Sequence, residues 1–575
     1  MIQQIYEACL DRIESFLAAE THAEGLLPES TRQRFQSEIQ RIAEHPSRRY
    51  YVLKTSIVSN LFGVDIMEEA AEICKLRLFL KLVAQVEDVG QLEALPDIDF
   101  NIRVGNSLVG YSSLSQVRQS LKNARKGQAR LTSEDDESAL LRIETKARDA
   151  DGAFARFRSA QTVKEAFPRD VSDAKRELDS SLSPLEDELN RTLASEYGVA
   201  VKDPASLARW VDSYRPFHWL VDFFGIMRKG GFDVAIGNPP YLEQRQIAYL
   251  PRGLETLETK AVHAMCIERA TNLIQPAGCI SMIVPLSLVA TQRMKQVQSI
   301  LEQERSVFLS NYSFRPAKLF DGVNRAVTIF VAIPAGRPRT FSTAYQKWVS
   351  SQRERLLHLV RYTEVPRDRK AYWIPKIGED LERELLRRML SVSSNLAQYK
   401  GTGSTGVFYR NAGGLYWKVF TRSAPGFKLN GKSGHSSREE VFPLRNRDLT
   451  ASAVALLSSD LFWWWYTVTS DCFHLNPSDL DAFPVPEGVL TDARLAKLGK
   501  EYLDDIVEKS SWLTRVQRQT GTTQTQSFKI QLSKGIINRI DNRLAALYGL
   551  SDEELDFIQN YEIKFRMSAS EEESD

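Results

Sequence analysis

The sequence lacks an apolar run long enough to span a membrane, and its N-terminus carries no signal-peptide pattern. Cysteine is scarce as well: five thiols are scattered over 575 residues, without a CxxC pair or a His/Cys cluster at zinc spacing. These absences argue against a membrane partner, a disulfide framework and a structural metal. We therefore expect a cytoplasmic protein whose cysteines are small buried apolar groups.

Net charge is also nearly absent, because 75 Lys and Arg are balanced by 74 Asp and Glu. The charged residues are nevertheless distributed unevenly along the chain. Residues 311–450 hold 25 basic and 11 acidic residues, a net charge of +14, whereas the rest of the chain carries −13. A basic module in an acidic chain is what contact with nucleic-acid phosphates requires, although charge alone is equally compatible with a solvated basic face.

The spacing of apolar residues predicts an α/β fold. Residues 1–50 have the periodicity of amphipathic helices. A short strand, Asn60–Ile66, then precedes a helix, and a second strand follows at Phe100–Gly105. This strand–helix–strand order predicts a parallel sheet covered by helices, and a chain of this length should divide into about three or four domains.

Composition changes along the rest of the chain. Between about 115 and 200 aromatics are few and charged residues many, which predicts a helical hairpin inserted between strands. Strands and helices alternate again from Gly230–Tyr241, and SVFLSNYSFRPAKLFDGVNRAVTIFVAI predicts two strands around a turn. From about 336 short strands are expected among Pro, Gly, Arg and aromatic residues. Past 490 the chain is predicted to be helical, ending in a disordered acidic tail, SASEEESD.

The segment FDVAIGNPPY carries the strongest chemical signal: an apolar strand, Phe232–Ile236, runs through a glycine into Asn238, Pro239, Pro240 and Tyr241. Ligands of open α/β sheets bind at the carboxyl ends of strands, and two prolines stiffen the loop there. The Asn238 side-chain oxygen and the Pro239 carbonyl can accept both hydrogens of an exocyclic amine, which frees its lone pair. Tyr241 can stack on a base taken out of a duplex. An ordinary turn is the alternative.

With its preceding strand, NPPY resembles motif IV of the amino-methyltransferases. Upstream segments occur in the order expected for the gamma class of adenine-N6 DNA methyltransferases. LFGVDIMEEAAEICKLRLFL resembles motif II, which implies that Asp65, beside Ile66, holds the ribose hydroxyls of S-adenosylmethionine (SAM). FNIRVGNSLVG resembles motif III, which implies that Asn106, Ser107 and Leu108 line the cofactor site, with the SAM adenine next to Asn106. Many relatives have Asp at that position.

The resemblance is most extensive with the large methylases of type IIG and related restriction–modification or phage-defence systems, and it continues into YWKVF and IDNRLAALYGLSDEELDFI. It implies methyl transfer from SAM to N6 of a flipped adenine in double-stranded DNA, with Asn238 contacting both base and cofactor. N4-cytosine methylation is an alternative because the two amines are chemically alike, although Asn before two prolines favours adenine.

The Gly-rich loop that opens the SAM site in this family, motif I, is not found upstream of Asp65. The expected fold is therefore a Rossmann-like SAM-dependent methyltransferase sheet that is incomplete at its N-terminus. A further partner is then expected, an upstream-encoded chain that supplies motif I. In that alternative this chain is an inactive or split fragment that acts as a DNA-binding or specificity subunit.

The resemblance divides the chain into five regions: 1–114, the first part of the methyltransferase domain; 115–215, a helical insert; 216–335, the catalytic part; 336–490, a mixed α+β target-recognition domain; and 491–575, a helical C-terminal region. Basic residues near the end of the sheet and beyond it are the candidate contacts to DNA phosphates and bases: Arg315, Lys318, Arg325, Arg337, Arg339, Arg367 and Arg369.

Three other features are assigned structural roles. GTGSTG (401–406) matches a phosphate-binding pattern but precedes VFYR instead of a helix, so a hairpin turn is expected. Trp463–Trp465 lie in an apolar stretch and are predicted to be core residues. His218 is expected to pack beside the NPPY strand, and a role as general base is the less favoured alternative.

Overall fold

Helical periodicity in the first sixty residues produces three helices, and the third begins at a cap, where the Ser47 side chain accepts a hydrogen bond from the Tyr50 amide. The computed structural model describes residues 2–20, 28–88, 95–125, 133–162, 168–367, 371–517 and 521–568. None of the helices in these ranges combines the length and the hydropathy that crossing a membrane requires. The described residues form two units.

The first unit contains Met1–Asp233, Leu242–Lys260 and Glu268–Pro276. It is mainly helical, with one pair of parallel strands in which Asp65 lies opposite Val104. The strands are β1 (Gly63–Asp65) and β2 (Ile102–Val104). The helices are α1 (Ile2–Glu20), α2 (Glu29–Glu44), α3 (Arg48–Asn60), α4 (Glu68–Val83), α5 (Leu114–Arg125), α6 (Ser133–Thr162), α7 (Pro168–Glu196), α8 (Pro204–Tyr214), α9 (Trp219–Asp222) and α10 (Phe224–Arg228).

Separate apolar clusters stabilise the first unit. Ile57, Leu82 and Ile102 are buried together around the two strands. Phe157 of α6 and Leu189 of α7 belong to a second cluster, in which the apolar faces of these long helices meet. This second cluster also contains buried residues from before and after the predicted insert, so the insert shares its core with the rest of the unit.

Three elements have residues in both units: β3 (Phe232–Gly237), α11 (Val262–Leu273) and β4 (Ile274–Pro285). The second unit otherwise runs from Ala277 onwards. Its helices are α12 (Ser287–Ala290), α13 (Lys295–Glu302), α14 (Asp380–Ser391), α15 (Thr450–Leu457), α16 (Asp460–Thr469), α17 (Pro477–Asp481), α18 (Ala493–Glu508), α19 (Lys534–Tyr548), α20 (Asp552–Asn560) and α21 (Ile563–Ser568). Its strands are β5 (Arg305–Tyr312), β6 (Val327–Pro334), β7 (Thr340–Gln346), β8 (Thr363–Glu364), β9 (Gly406–Arg410), β10 (Phe420–Thr421), β11 (Phe427–Leu429), β12 (Lys432–Ser433), β13 (Glu439–Pro443), β14 (Ser511–Gln517) and β15 (Gly521–Ser527).

A six-stranded sheet in the order β3-β4-β6-β5-β7-β8 dominates the second unit. The predicted pair of strands around a turn is confirmed as the antiparallel pair β5–β6. The sheet is mixed, because β6 is antiparallel to β4 and β5 while β7 is parallel to β5. The α/β class is confirmed, but the expectation of one parallel sheet is wrong: β1 and β2 pair with each other, and β7 and β8 extend the larger sheet beyond residue 335.

The strand that precedes NPPY, β3, lies at one edge of this sheet. Val234 and Ile236 alternate along it, so they share a face, and their side chains are 51% and 71% exposed. Within the described residues no strand pairs with the outer edge of β3. An exposed apolar edge strand is a template for pairing with a further strand.

The C-terminal region differs from the prediction, since Ser511–Gln517 and Gly521–Ser527 are strands and not helix. Alternating Thr and Gln side chains favour an extended chain over a helix, and β15 begins at Gly521, whose φ of +85° suits a glycine. β15 pairs with β14 and also with β11, so a four-stranded sheet, β12-β11-β15-β14, joins residues on both sides of the predicted boundary at 490. Most of the predicted acidic tail lies outside the described residues.

Trp463–Trp465 are buried in α16, as predicted for core residues. GTGSTG leads into β9 and not into a helix, as expected, but the predicted hairpin turn is wrong, because both strands that pair with β9, β10 and β13, come later in the chain. Gly406 allows β13 to approach β9, because a Cβ there would lie 2.0 Å from the Phe442 carbonyl oxygen. The glycine pattern thus serves strand pairing.

Candidate active site

The NPPY loop begins where β3 ends. Asn238 and Pro240 are exposed, whereas Pro239 is buried between them. In the described part of the chain the Asn238 amide has no hydrogen-bond partner, so its oxygen is available to a ligand. A buried proline with φ restricted by its ring holds the backbone of the loop while the asparagine side chain faces outward.

The Tyr241 side chain is held in place by a hydrogen bond to the sheet and by an apolar cluster. Its hydroxyl donates a hydrogen bond of 3.3 Å to the Ile283 carbonyl of β4, and its ring packs against a cluster that includes Tyr312 and Trp348. Burial raises the pKa of the Tyr241 phenol. The ring is half-buried, so it can offer only its remaining surface to a stacked base.

The predicted cofactor residues belong to the first unit, except Asn238, which belongs to the second. Asp65 and Val104 end neighbouring parallel strands, and the Gly105 amide donates to the Asp65 carbonyl at 2.8 Å. The Asp65 side chain is exposed and accepts a hydrogen bond from the Met67 amide at 2.8 Å. The carboxylate is therefore oriented by its own turn, with acceptor capacity left for a pair of hydroxyls.

Asn106 is buried directly after β2. Its side-chain oxygen accepts from the Leu108 amide at 3.1 Å, but among the described residues its side-chain nitrogen has no partner. A buried N–H without a partner is costly, so this nitrogen is a candidate donor to a ligand acceptor. The backbone carbonyls of Ser107 and Leu108 are already engaged, by Trp219 and Arg269.

Arg215 is a residue that the sequence analysis missed. Its guanidinium donates to the Ile66 carbonyl at 2.9 Å, and its own carbonyl accepts from the Asn106 amide at 2.6 Å. It thereby connects the segments after β1 and β2. Arg215 has φ +45°, a left-handed conformation that no local sequence signal announces for arginine. Gly110 supports the same arrangement, since a Cβ there would lie 1.9 Å from the Phe217 carbonyl oxygen.

His218 is buried, as the packing prediction requires. Its Nδ1 accepts from the Tyr111 amide at 3.3 Å, and its Nε2 lies 3.0 Å from the Asn190 side-chain oxygen, to which it donates when Nδ1 is the acceptor. Burial lowers the pKa of His218 to about 3. Both ring nitrogens are occupied and the ring is away from solvent, so the general-base alternative has no support in this geometry.

Replacement of this imidazole should change the response to acid. Below pH 6.5 an unfolded His218 binds a proton that the folded protein excludes, so stability falls as the pH drops towards 3. His218→Gln keeps a donor and an acceptor but cannot titrate. At pH 5.5 the wild type should lose about 1.4 kcal/mol relative to neutral pH, and the variant should escape that loss. Melting temperatures at pH 7.5 and 5.5 measure the difference.

The exposed His435 is the matched control, because His435→Gln should melt with the same pH dependence as the wild type. An equal acid sensitivity of the wild type and His218→Gln would contradict the assigned burial effect.

The predicted DNA-contacting residues fall into three groups. Arg315, Arg325 and Arg337 are exposed, as a phosphate contact requires. Lys318 donates to Asn324 at 3.3 Å, and Arg339 is 3.5 Å from Glu364, so both have surface partners.

Of the remaining two predicted contacts, only Arg367 is among the described residues. Arg367 is engaged by the protein: it pairs with Glu302 at 2.7 Å and donates to Trp373 and Gln298. Its guanidinium is therefore not available to a phosphate. Arg369 lies outside the described residues.

The same segments match a known family. The model of the Eco57I restriction-modification methylases matches residues 59–320. That range contains Asp65, Asn106 and the NPPY loop. Over 329 residues the chain is 26% identical to RM.MjaORFECS2P of Methanocaldococcus jannaschii, described as a proposed type II restriction enzyme and methyltransferase. The alignment covers 50% of this chain, which spans 27% of the length of that relative. Together the two matches support a restriction–modification methylase.

Solved structures of restriction–modification enzymes overlap this chain weakly. The type IIL enzyme MmeI in complex with DNA is 9% identical with a TM-score of 0.32, and the overlap covers 78% of this chain and 76% of MmeI. The DrdV–DNA complex is 10% identical with a TM-score of 0.24, covering 72% and 50%. TM-scores this low do not establish a shared fold.

Proposed function

We propose that this chain is the methyltransferase part of a restriction–modification system and transfers a methyl group to N6 of adenine in double-stranded DNA. The observation that carries the proposal is the NPPY loop: an exposed, unpartnered Asn238 amide on a loop anchored by buried Pro239, at the end of a strand. Asn238 and the Pro239 carbonyl accept the two amine hydrogens of a flipped base.

The chain's own residues bind and orient the reactants in this reaction. Tyr241, held by Ile283, offers its exposed surface to the flipped base. Asn238 and Pro239 draw the amine towards tetrahedral geometry, and the released proton passes to solvent, because His218 is buried and neutral. Positioning of this kind supplies much of the rate gain in transfer reactions.

The residues after β1 and β2 fit SAM, which supplies the methyl group. Asp65 is an exposed carboxylate suited to two ribose hydroxyls. The partnerless side-chain nitrogen of Asn106 suits a ring nitrogen of the adenine moiety. We assign Asp65, Ile66, Asn106, Ser107 and Leu108 to the cofactor site on these grounds.

Analysis of the modified base tests the proposed reaction. Purified chain is incubated with unmethylated genomic DNA and SAM, and the digested nucleosides are separated by mass spectrometry. We expect N6-methyladenine. Detection of N4-methylcytosine would instead show that the amine of cytosine is the methyl acceptor. Absence of both methylated bases would reject methyl transfer by this chain alone.

Loss of the Asp65 carboxylate should weaken cofactor binding. In Asp65→Ala we expect SAM affinity to fall by about ten-fold to a hundred-fold, the range for a hydrogen bond to a charged group. Calorimetric titration measures it. Asp173→Ala, which removes an exposed carboxylate of α7 paired with Arg176, is the control and should bind SAM like the wild type. Equal affinities of Asp65→Ala and the wild type would remove Asp65 from the site.

A second candidate function is that of a specificity subunit completed by another polypeptide. The outer edge of β3, which no strand pairs with in the described residues, favours it, because a further strand could pair there. Under this alternative SAM binding requires the product of an adjacent upstream reading frame. SAM binding by the purified chain alone would exclude it.

A further inference from the structure

The four-stranded sheet of the second unit is built from two segments without acidic residues. Residues 385–438, which contain β11 and β12, hold nine Lys and Arg and no Asp or Glu. Residues 509–540, which contain β14 and β15, hold six Lys and Arg and no Asp or Glu. Since the chain has 74 acidic residues, this sheet is a local departure from the overall charge balance.

One face of this sheet carries side chains suited to base edges. The register places Thr514 opposite Gln524 and Gln524 opposite Lys428, in one row across three strands. The next row pairs Val516 with Thr522. Residues directly opposite on antiparallel strands share a face, so these side chains form one surface, which we call the ribbon face.

Trp512 lies at one end of the ribbon face, opposite Gln526. Its ring lies over Gly426, where a Cβ would meet it at 2.6 Å, and the Lys428 ammonium is 5.0 Å from the ring centroid. Gln526 is occupied, because it accepts from the Gly426 amide at 3.0 Å and donates to Ser510 at 2.9 Å. The two hydrogen bonds of Gln526 position the ribbon, so its side chain is not available for recognition.

Gln524 is different from Gln526. Its amide has no hydrogen-bond partner in the described part of the chain, and it lies between a threonine and a lysine. Val516 lies diagonally from it, near the end of the edge strand β14, and its side chain is 80% exposed. A free amide on β15 and an exposed aliphatic group on β14, with a cation on the adjoining β11, are the elements of base recognition.

We infer that β14 and β15 form a ribbon that enters the major groove of double-stranded DNA and reads bases there, an inference that rests on the proposed function. The major groove is about 12 Å wide and admits a two-stranded ribbon. Gln524 is the bidentate partner of an adenine: its amide nitrogen donates to N7, and its oxygen accepts from the N6 amine. Val516 contacts a thymine methyl group, and Lys428 contacts a guanine edge or a phosphate.

Selection from a pool of randomised duplexes tests the ribbon face without requiring methylation. Wild-type chain should enrich one sequence motif that contains an adenine read by Gln524. In Gln524→Ala the preference at that single position should fall by about ten-fold or more. Gln524→Glu, which can only accept, should shift the preference there towards cytosine. An unchanged motif in both variants would overturn the inference.

Thr525→Ala is the matched control, because Thr525 neighbours Gln524 on β15 but lies on the opposite face, opposite Leu513 and Phe427. It should enrich the wild-type motif, and a change as large as that in Gln524→Ala would contradict base readout. Equal competition by single-stranded oligonucleotides would also overturn duplex recognition. Motif selection without methyl transfer would instead count against the proposed reaction and leave the ribbon assignment standing.

Discussion

Asn238→Ala should reduce methyl transfer by about a hundred-fold to a thousand-fold, the range for loss of one preorganised hydrogen-bonding group in an active site. The Asn238 side chain is exposed and has no partner in the described residues, so its removal breaks no contact within the protein. The melting temperature and the affinity for duplex DNA should therefore stay close to wild-type values. Initial rates with radiolabelled SAM, compared with fluorescence anisotropy on a labelled duplex, separate the two effects.

Asn560→Ala provides the comparison for this experiment. Asn560 is an asparagine at the end of α20 whose side chain, among the described residues, bonds to Asp556 of the same helix. The control should methylate at the wild-type rate. A catalytically competent Asn238→Ala protein would show that the amine is held by other groups and would remove the NPPY loop from the reaction.

Arg566→Met should strongly destabilise the second unit. The Arg566 guanidinium is buried, pairs with the buried Asp460 carboxylate at 2.7 Å and lies 3.7 Å from the Trp417 ring centroid. Lys534 pairs with the same carboxylate at 2.5 Å, and burial together with Asp460 raises the pKa of Asp541 well above its usual range. Removing one partner of a buried ion pair costs about 3–5 kcal/mol. We expect the melting temperature to fall by about 5–10 °C in scanning fluorimetry.

The exposed ion pair of Arg539 with Glu501 supplies the contrast, since Arg539→Met should leave the melting temperature nearly unchanged. Similar losses in both variants would mean that arginine charge in general, and not the buried cluster, stabilises this unit.

Local patterns predicted the parts of the site that depend on local chemistry. NPPY is a loop because two prolines cannot continue a strand's hydrogen bonding, and Asp65 and Asn106 follow parallel strands because the apolar periodicity defines those strands. The burial of Trp463–Trp465 follows from their apolar surroundings in the sequence. In each case the deciding interactions involve residues close in sequence.

The predictions that failed depend on distant partners. β15 pairs with β11, almost a hundred residues upstream, and helical periodicity in the flanking segments gave no sign of this pairing. Arg367 was predicted to face DNA because its charge is visible in the sequence, whereas its partner Glu302 lies in another element. The left-handed Arg215 is likewise held by Ile66 and Asn106. Such contacts are properties of the packed chain and have no local signature.

The shared sheet of β11 and β15 bears on attempts to exchange sequence specificity between methylases of this kind. A chimera in which only residues 336–490 are exchanged would contain β11 of the donor and β15 of the recipient. The two strands would then come from different proteins although they pair in one sheet. The transplantable module is discontinuous in the chain. Both segments, 426–433 and 511–527, would have to be moved together for the donor's recognition surface to survive the transfer.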